Sequence, residues 1–321
     1  MPISLEILTS LYQLSSKPAM LPSLPHKSST LHCSFMFYSV LLPCFITLLL
    51  SPVSFTHAAN GNETDRLALL AIRAGITTDP LGLNLELNYF HGHLPQELGR
   101  LFRLKYLNIS NSSFSGEIPA NLSGCSNLIW LRLGVNNLIG RIPFQLGSLQ
   151  KLERVQLHYN NLSGPLPDSL GNLSSVRSFS LAVNSFWGSI PDSLGRLKNL
   201  NFLGLGLNQL SGTVPLSIYN ISSIEGLSLP YNQLHGNLPS DLGFTLPNLL
   251  VLNVGHNQFT GPLPLSLSNA SNLVELDTSG SNFTGKITID FGGLPSLWWL
   301  VLASNSLGIG EADDLSFFNS E

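Results

Sequence analysis

The chain has 321 residues, of which 11% are charged, with a formal net charge of -4 and three cysteines. So sparse and slightly acidic a charge lacks the basic footprint of a nucleic-acid binder, and Cys33, Cys44 and Cys125 cannot supply a disulfide framework. Length alone suggests about two globular domains, yet charged residues fall well below the roughly 25% usual in such domains while Asn, Ser, Gly and Leu abound.

Residues 1–34 are rich in Ser and Pro and carry no sign of a packed unit. From Phe35 to Leu50 the chain is almost wholly apolar, and the small residues Ala58 and Ala59 follow, which is the layout of a secretory signal core and its cleavage region. The run lies far from Met1 for such a signal, and Met20 and Met36 are alternative starts. Read instead as an uncleaved anchor helix, it barely reaches spanning length and contains Pro43. Residues 1–59 are therefore expected to be an extension plus signal peptide with its apolar core at 35–50.

Beyond Asn62, the residues Leu67, Leu70, Ala71 and Ala74 share one face of a 3.6-residue period. Asp65 near the start and Arg73 near the end suit the helix dipole. Residues 60–79 are expected to form a short amphipathic helix, part of an amino-terminal cap.

From residue 80 to 321 one template recurs. In its clearest copy Leu128, Leu131, Leu133, Asn136, Leu138, Gly140, Ile142 and Pro143 read L-x-x-L-x-L-x-x-N-x-L-x-G-x-I-P. Frames start at Pro80, Leu104, Leu128, Leu152, Val176, Leu200, Ile224, Leu249, Leu273 and Leu297, about ten frames spaced by 24 residues with one step of 25. A constant period of this length specifies a solenoid, in which each coil buries its apolar face only against its neighbours. The last frame is incomplete: Ile309 and Ala312 replace its Gly and Pro.

Leucines at frame positions 4 and 6 alternate with outward residues, so each coil is expected to give one short strand to a parallel sheet with one buried face. Asn at position 9, namely Asn88, Asn136, Asn160, Asn184, Asn208, Asn232, Asn257 and Asn305, can donate to and accept from the backbone of the turn that leaves the strand, which makes a ladder. Ser112 and Ser281 interrupt it. Gly at position 13 calls for positive φ or close approach. Pro at position 16 restrains the outer turn without removing a sheet donor. Cys125 holds an interior position and reads as a small buried hydrophobe.

The segment NETDRLALLAIRAGITTDPLG followed by these coils resembles the extracellular part of plant leucine-rich-repeat receptor kinases, most closely the branch of immune pattern-recognition receptors, over residues 62–321. The resemblance implies an α/β solenoid, a plant-type leucine-rich-repeat superhelix with a parallel β-sheet on its concave face. It also implies a peptide or protein ligand on that face, a co-receptor leucine-rich-repeat kinase at the side, and a place at the cell surface or in the apoplast. One departure is that Gly82 runs directly into the repeats where the family's cap continues with a Trp-containing stretch and a cysteine pair. Membrane attachment would require either that the 35–50 run stays uncleaved or that a full-length form carries a downstream transmembrane helix.

Nine N-x-S/T sequons fit a secreted glycoprotein: Asn62, Asn108, Asn111, Asn121, Asn161, Asn172, Asn220, Asn269 and Asn282. Asn172, Asn220 and Asn269 share position 21, and only Asn108 and Asn111 fall on the concave strand segment. On that face the candidate ligand-binding residues, read as exposed, are Trp130, Arg132, Arg154, Gln156, His158, Tyr159, Phe202, Tyr231 and His256, because aromatic and Arg side chains commonly anchor interfaces. Trp299 is read as exposed there too, and Glu275 and Asp277 make a distant acidic spot.

No catalytic, metal or cofactor constellation emerges. His91 and His93 have metal-like spacing without a third ligand, and Gly204-x-Gly206 and Gly308-x-Gly310 lack the setting of a dinucleotide fingerprint. No kinase Lys, catalytic-loop or D-F-G signature follows the repeats. The expected function is a non-catalytic ligand-recognition ectodomain in defence or developmental signalling. The alternatives are a secreted inhibitor similar to polygalacturonase-inhibiting proteins, or a non-functional truncated receptor fragment.

Overall fold

A computed structural model describes residues 82–311 together with Asp314, Leu315 and Phe317. The signal run 35–50, the helix expected within 60–79, and Cys33, Cys44 and Asn62 lie outside the described residues.

Each coil contributes a three-residue strand from positions 3–5 to one ten-stranded parallel sheet: β1 (Gly82–Asn84), β3 (Tyr106–Asn108), β5 (Trp130–Arg132), β7 (Arg154–Gln156), β9 (Ser178–Ser180), β11 (Phe202–Gly204), β13 (Gly226–Ser228), β15 (Val251–Asn253), β17 (Glu275–Asp277) and β19 (Trp299–Val301). The register advances by one frame per strand, with Leu107 opposite Leu131 and Leu131 opposite Val155. That constancy follows from the period. A slip of one residue would turn every position-4 leucine to the surface, and Leu107 and Leu131 are completely buried.

A second ten-stranded parallel sheet, absent from the sequence reading, runs along positions 10–13. Its strands are β2 (His91–His93), β4 (Ser113–Glu117), β6 (Asn137–Gly140), β8 (Asn161–Gly164), β10 (Ser185–Gly188), β12 (Gln209–Thr213), β14 (Gln233–Gly236), β16 (Gln258–Gly261), β18 (Asn282–Gly285) and β20 (Ser306–Leu307). The position-11 side chain turns inward, so Phe114, Leu138, Leu162 and Phe186 are fully buried. Gly at position 13 closes these strands in the left-handed region, with Gly140 at φ 78°.

Pro at position 16 then starts a short turn of helix, most often 3-10, in coil after coil. Pro143 (φ -63°) precedes Phe144–Ser148, and Pro167 precedes Asp168–Asn172. These turns pack so closely that a Cβ on Gly147 would lie 2.2 Å from the Ser169 carbonyl oxygen. Between the layers one core runs through all coils, with Leu128, Leu131, Leu133, Leu138 and Leu152 no more than 1% exposed. Cys125 is buried in it, and its Sγ donates to the Leu98 carbonyl at 3.1 Å. Among the described residues no helix is long and apolar enough to cross a membrane.

Candidate functional site

Outward side chains of the first sheet come from positions 3 and 5, so residues in register on adjacent strands stand about 4.8 Å apart. Trp130 on β5 lies opposite Tyr106 on β3 and Arg154 on β7. The Tyr106 ring meets the indole edge-on, with centroids 4.9 Å apart at 68°. The guanidinium carbons of Arg132 and Arg154 lie 4.6 and 5.0 Å from the Trp130 ring centroid. Each cation is held by the indole quadrupole, so two forked donors are already positioned before any ligand arrives. Trp130, Arg132 and Arg154 thus form one cluster, completed by Tyr106, which the sequence reading left out.

Three of the expected surface residues are buried. Gln156 is 7% exposed, in register between Arg132 and Ser180 on the neighbouring strands, whose side chains stand close enough to cover it. His158 is 1% exposed, because its ring lies down over Gly134: a Cβ there would meet it at 2.8 Å. Phe202 is 4% exposed, its ring flat against Gly204 and Gly226, where added Cβ atoms would meet it at 2.8 and 2.7 Å. For His158 and Phe202 a neighbouring glycine lets the ring recline. Gly134 and Gly226, one coil away, and Gly204 on the same strand were the available signal for those two; no glycine marks Gln156.

His158 Nδ1 is 3.3 Å from Ser180 Oγ, while Nε2 has no hydrogen-bond partner among the described residues. Burial lowers its pKa to about 4, so the ring is neutral at ordinary pH.

Tyr159, Tyr231 and His256 occupy position 8, just past the strand, and all adopt positive φ, from 52° to 55°. Tyr231 and His256 stack at 4.1 Å and 12°. Tyr159 is half-buried, and burial raises its pKa. These rings border the sheet and are separate from the Trp130 cluster.

At the other end, Glu275 and Asp277 share β17. Glu275 lies in register with Val251 and Trp299, and Asp277 with Asn253 and Val301. Burial, the Asp277 charge and, in the opposite sense, a hydrogen bond from Asn253 set the Glu275 carboxyl, with a net rise to about 7. Asn253 Nδ2 donates to Glu275 Oε1 at 3.3 Å. Asp277 Oδ1 accepts from the Ser279 backbone N–H and hydroxyl at 2.9 and 2.7 Å.

Of the sequons, Asn121, Asn161, Asn172, Asn220, Asn269 and Asn282 are exposed, whereas Asn108 and Asn111 are half-buried. Asn108 Nδ2 donates to Glu86 Oε2 at 2.7 Å.

The Leucine Rich Repeat family profile matches residues 103–125, 151–173 and 248–270, in phase with the frames. No curated protein matches the chain. Among solved structures it is similar to the plant peptide hormone receptor RGFR1 in complex with RGF2, with 33% identity and a TM-score of 0.67 over 68% of this chain and 35% of that one. It is also similar to the Arabidopsis receptor kinase HAESA ectodomain in complex with an IDA peptide hormone, at 32% identity and a TM-score of 0.67 over 74% of this chain and 44% of that one. A structure of HAESA with IDA and the co-receptor SERK1 gives 28% identity and a TM-score of 0.55 over 71% of this chain and 46% of that one. A plant ice-binding protein shares the fold at 26% identity and a TM-score of 0.59, covering 72% of this chain and 76% of its own. The chain thus spans 35 to 44% of the length of the first two receptors. Repeat phase, two-sheet register and neighbours together make it a leucine-rich-repeat solenoid whose solved structural neighbours include plant receptor ectodomains.

Proposed function

We propose that this chain is an extracellular recognition module that binds a peptide or protein segment on its concave sheet, without catalysis of its own, within a plant receptor for defence or developmental signals. One observation carries the reading: Tyr106, Trp130, Arg132 and Arg154 form a preassembled aromatic and cationic cluster at the open face of a sheet. Such a cluster has the composition of an interface hot spot, and its rings and guanidiniums lose little freedom on binding. Support comes from the RGFR1 and HAESA structures, which hold peptide ligands. The HAESA complex with SERK1 supports a co-receptor of the same class as a second partner. Export through the 35–50 run, with cleavage near Ala58 or Ala59, and attachment of sugars to the exposed sequons belong to the same proposal.

Replacing Trp130 and Arg154 together by Ala is expected to weaken a bound extracellular peptide by about 100-fold or more, since hot-spot truncations cost about 2 kcal/mol or more. Thermal stability should hardly change, because neither side chain enters the core. Leu131→Ala is the matched control, with an expected loss of about 2 to 5 kcal/mol of stability. Unchanged affinity in the double variant, measured by calorimetry on a ligand recovered from an extracellular peptide screen, would remove the Trp130 cluster from the site.

A further inference from the structure

We infer that the concave sheet is built for an extended peptide carrying charges of opposite sign near its two ends, its acidic group on the Trp130–Arg154 coils and its basic group on Glu275 and Asp277. The inference rests on the peptide-recognition reading above and adds the chemistry, placement and span of the ligand.

Positions 3 and 5 of the ten concave strands present four charged side chains, Arg132, Arg154, Glu275 and Asp277, and their signs are segregated by coil. Between them β9, β11, β13 and β15 present Ser178, Ser180, Phe202, Gly204, Gly226, Ser228, Val251 and Asn253, with no charge among them. The middle is also low. Phe202 reclines on Gly204 and Gly226 instead of standing up, so a ligand backbone can pass close to this floor.

The two ends are chemically matched to opposite partners. Arg132 and Arg154, fixed against Trp130, offer forked donors suited to a carboxylate. Glu275 and Asp277 lie two residues apart on one strand, where Asn253 and Ser279 give them neutral donors, and the indole of Trp299 stands in register beside Glu275. An ammonium or guanidinium there would gain two carboxylates and an aromatic face. It would also relieve the repulsion that helps hold the Glu275 carboxyl up.

Geometry fixes the span. Five strand steps separate β7 from β17, about 24 Å at the usual inter-strand spacing, which an extended chain covers in about seven residues. Measured from Arg132 on β5 the figure is six steps, about 29 Å or roughly nine residues.

The test uses immobilised full chain and five synthetic peptide pools, acetylated and amidated at their termini. One pool carries an Asp pair and a Lys pair separated by about eight randomised uncharged residues, the second the same pairs separated by about two, the third no charges, and the last two the Asp pair alone or the Lys pair alone. We expect the long-spaced pool to be enriched at least tenfold over the short-spaced and uncharged pools. Arg132→Gln with Arg154→Gln should abolish the preference for the Asp pair and keep that for the Lys pair. Glu275→Gln with Asp277→Asn should do the reverse, and thermal melts would verify that both variants fold. Equal retention of the long- and short-spaced pools, or loss of the Lys preference on changing the arginines, would overturn the inference. Enrichment from the uncharged pool that still depends on Trp130 would overturn it too, while leaving peptide recognition intact. No retention of any pool above the level of the Trp130→Ala, Arg154→Ala surface would sink both.

Discussion

At the turn after each concave strand, position 8 takes a left-handed backbone in coil after coil: Val135 at φ 57°, Val183 at 57°, Leu207 at 55° and Gly280 at 60°. For a β-branched residue this conformation costs about 1 to 2 kcal/mol. The stack holds it through bonds to the next coil, for example Val135 N–H to the His158 carbonyl at 2.8 Å and Asn136 N–H to the Tyr159 carbonyl at 3.1 Å. Position 7, one residue earlier, is small in most coils, as at Gly134, Ala182 and Gly206; Glu86, Pro230 and His158 are larger, and the buried His158 ring is desolvated. Its folded pKa of about 4 lies below the ordinary value of 6.5, so its neutral form stabilises the fold above pH 6.5. That contribution is lost as pH falls through 4, because the unfolded chain takes up the proton first. The loss is on the order of 3 kcal/mol. His158→Ala should flatten the corresponding part of the stability profile between pH 7 and pH 4, measured by urea melts. A wild-type slope retained in the variant would show that another group titrates there.

Among the elements, the asparagine turns tie coil to coil. Asn160 Nδ2 donates to the Leu133 and Leu157 carbonyls at 3.0 Å each, and its Oδ1 accepts the Leu138 N–H at 3.0 Å, so one amide bridges two coils. Asn136, Asn184, Asn208, Asn232 and Asn257 make the same pattern. Asn305 does so against the coil before it, while Asn88 donates within its own turn to the Leu85 and Glu86 carbonyls. Ser281 offers only its hydroxyl, which accepts from the Asn257 N–H at 3.4 Å. Asn160→Ala is expected to cost on the order of 3 kcal/mol by stranding buried backbone groups, and Ser281→Asn to add about 1 kcal/mol by extending the ladder. Chemical denaturation of both variants checks the pair. A neutral Asn160→Ala would mean that the coils are held by the leucine core alone.

Across the whole molecule, the exposed sequons and the concave charges occupy different surfaces. Asn172, Asn220 and Asn269 close or follow alternate outer turns, at the far side of the coil from β5, β7 and β17, and all three are exposed. Glycopeptide mapping of plant-made protein should find these three occupied and Asn108 least so, since its amide nitrogen is tied to Glu86 at 2.7 Å and only half-exposed. Bare asparagines at all three would argue against passage through the secretory pathway. A surface free of sugar along the concave sheet is what an extended ligand needs.

The sequence by itself determined the coil length, the inward leucines, the asparagine turns and the first sheet. Each of these is written locally, and the same residue types recur wherever the same burial recurs. Leu131 and Val155 could be placed opposite each other from the 24-residue step alone. Tertiary structure decided the rest. The second sheet forms because positions 10–13 find their hydrogen-bond partners only in the adjacent coil. Left-handed turns at Val135 and Val183 run against local preference and persist because bonds from the next coil outweigh it. Whether an outward side chain stands or reclines depends on what the neighbouring strand leaves open. His158 and Phe202 lie down over glycines and leave the ligand surface, while Trp130 stays upright between Tyr106, Arg132 and Arg154. Apart from Arg132 and Gly204, which lie two residues along the same strands, those neighbours sit about one coil away in sequence and about 5 Å away in space, a proximity that stacking creates.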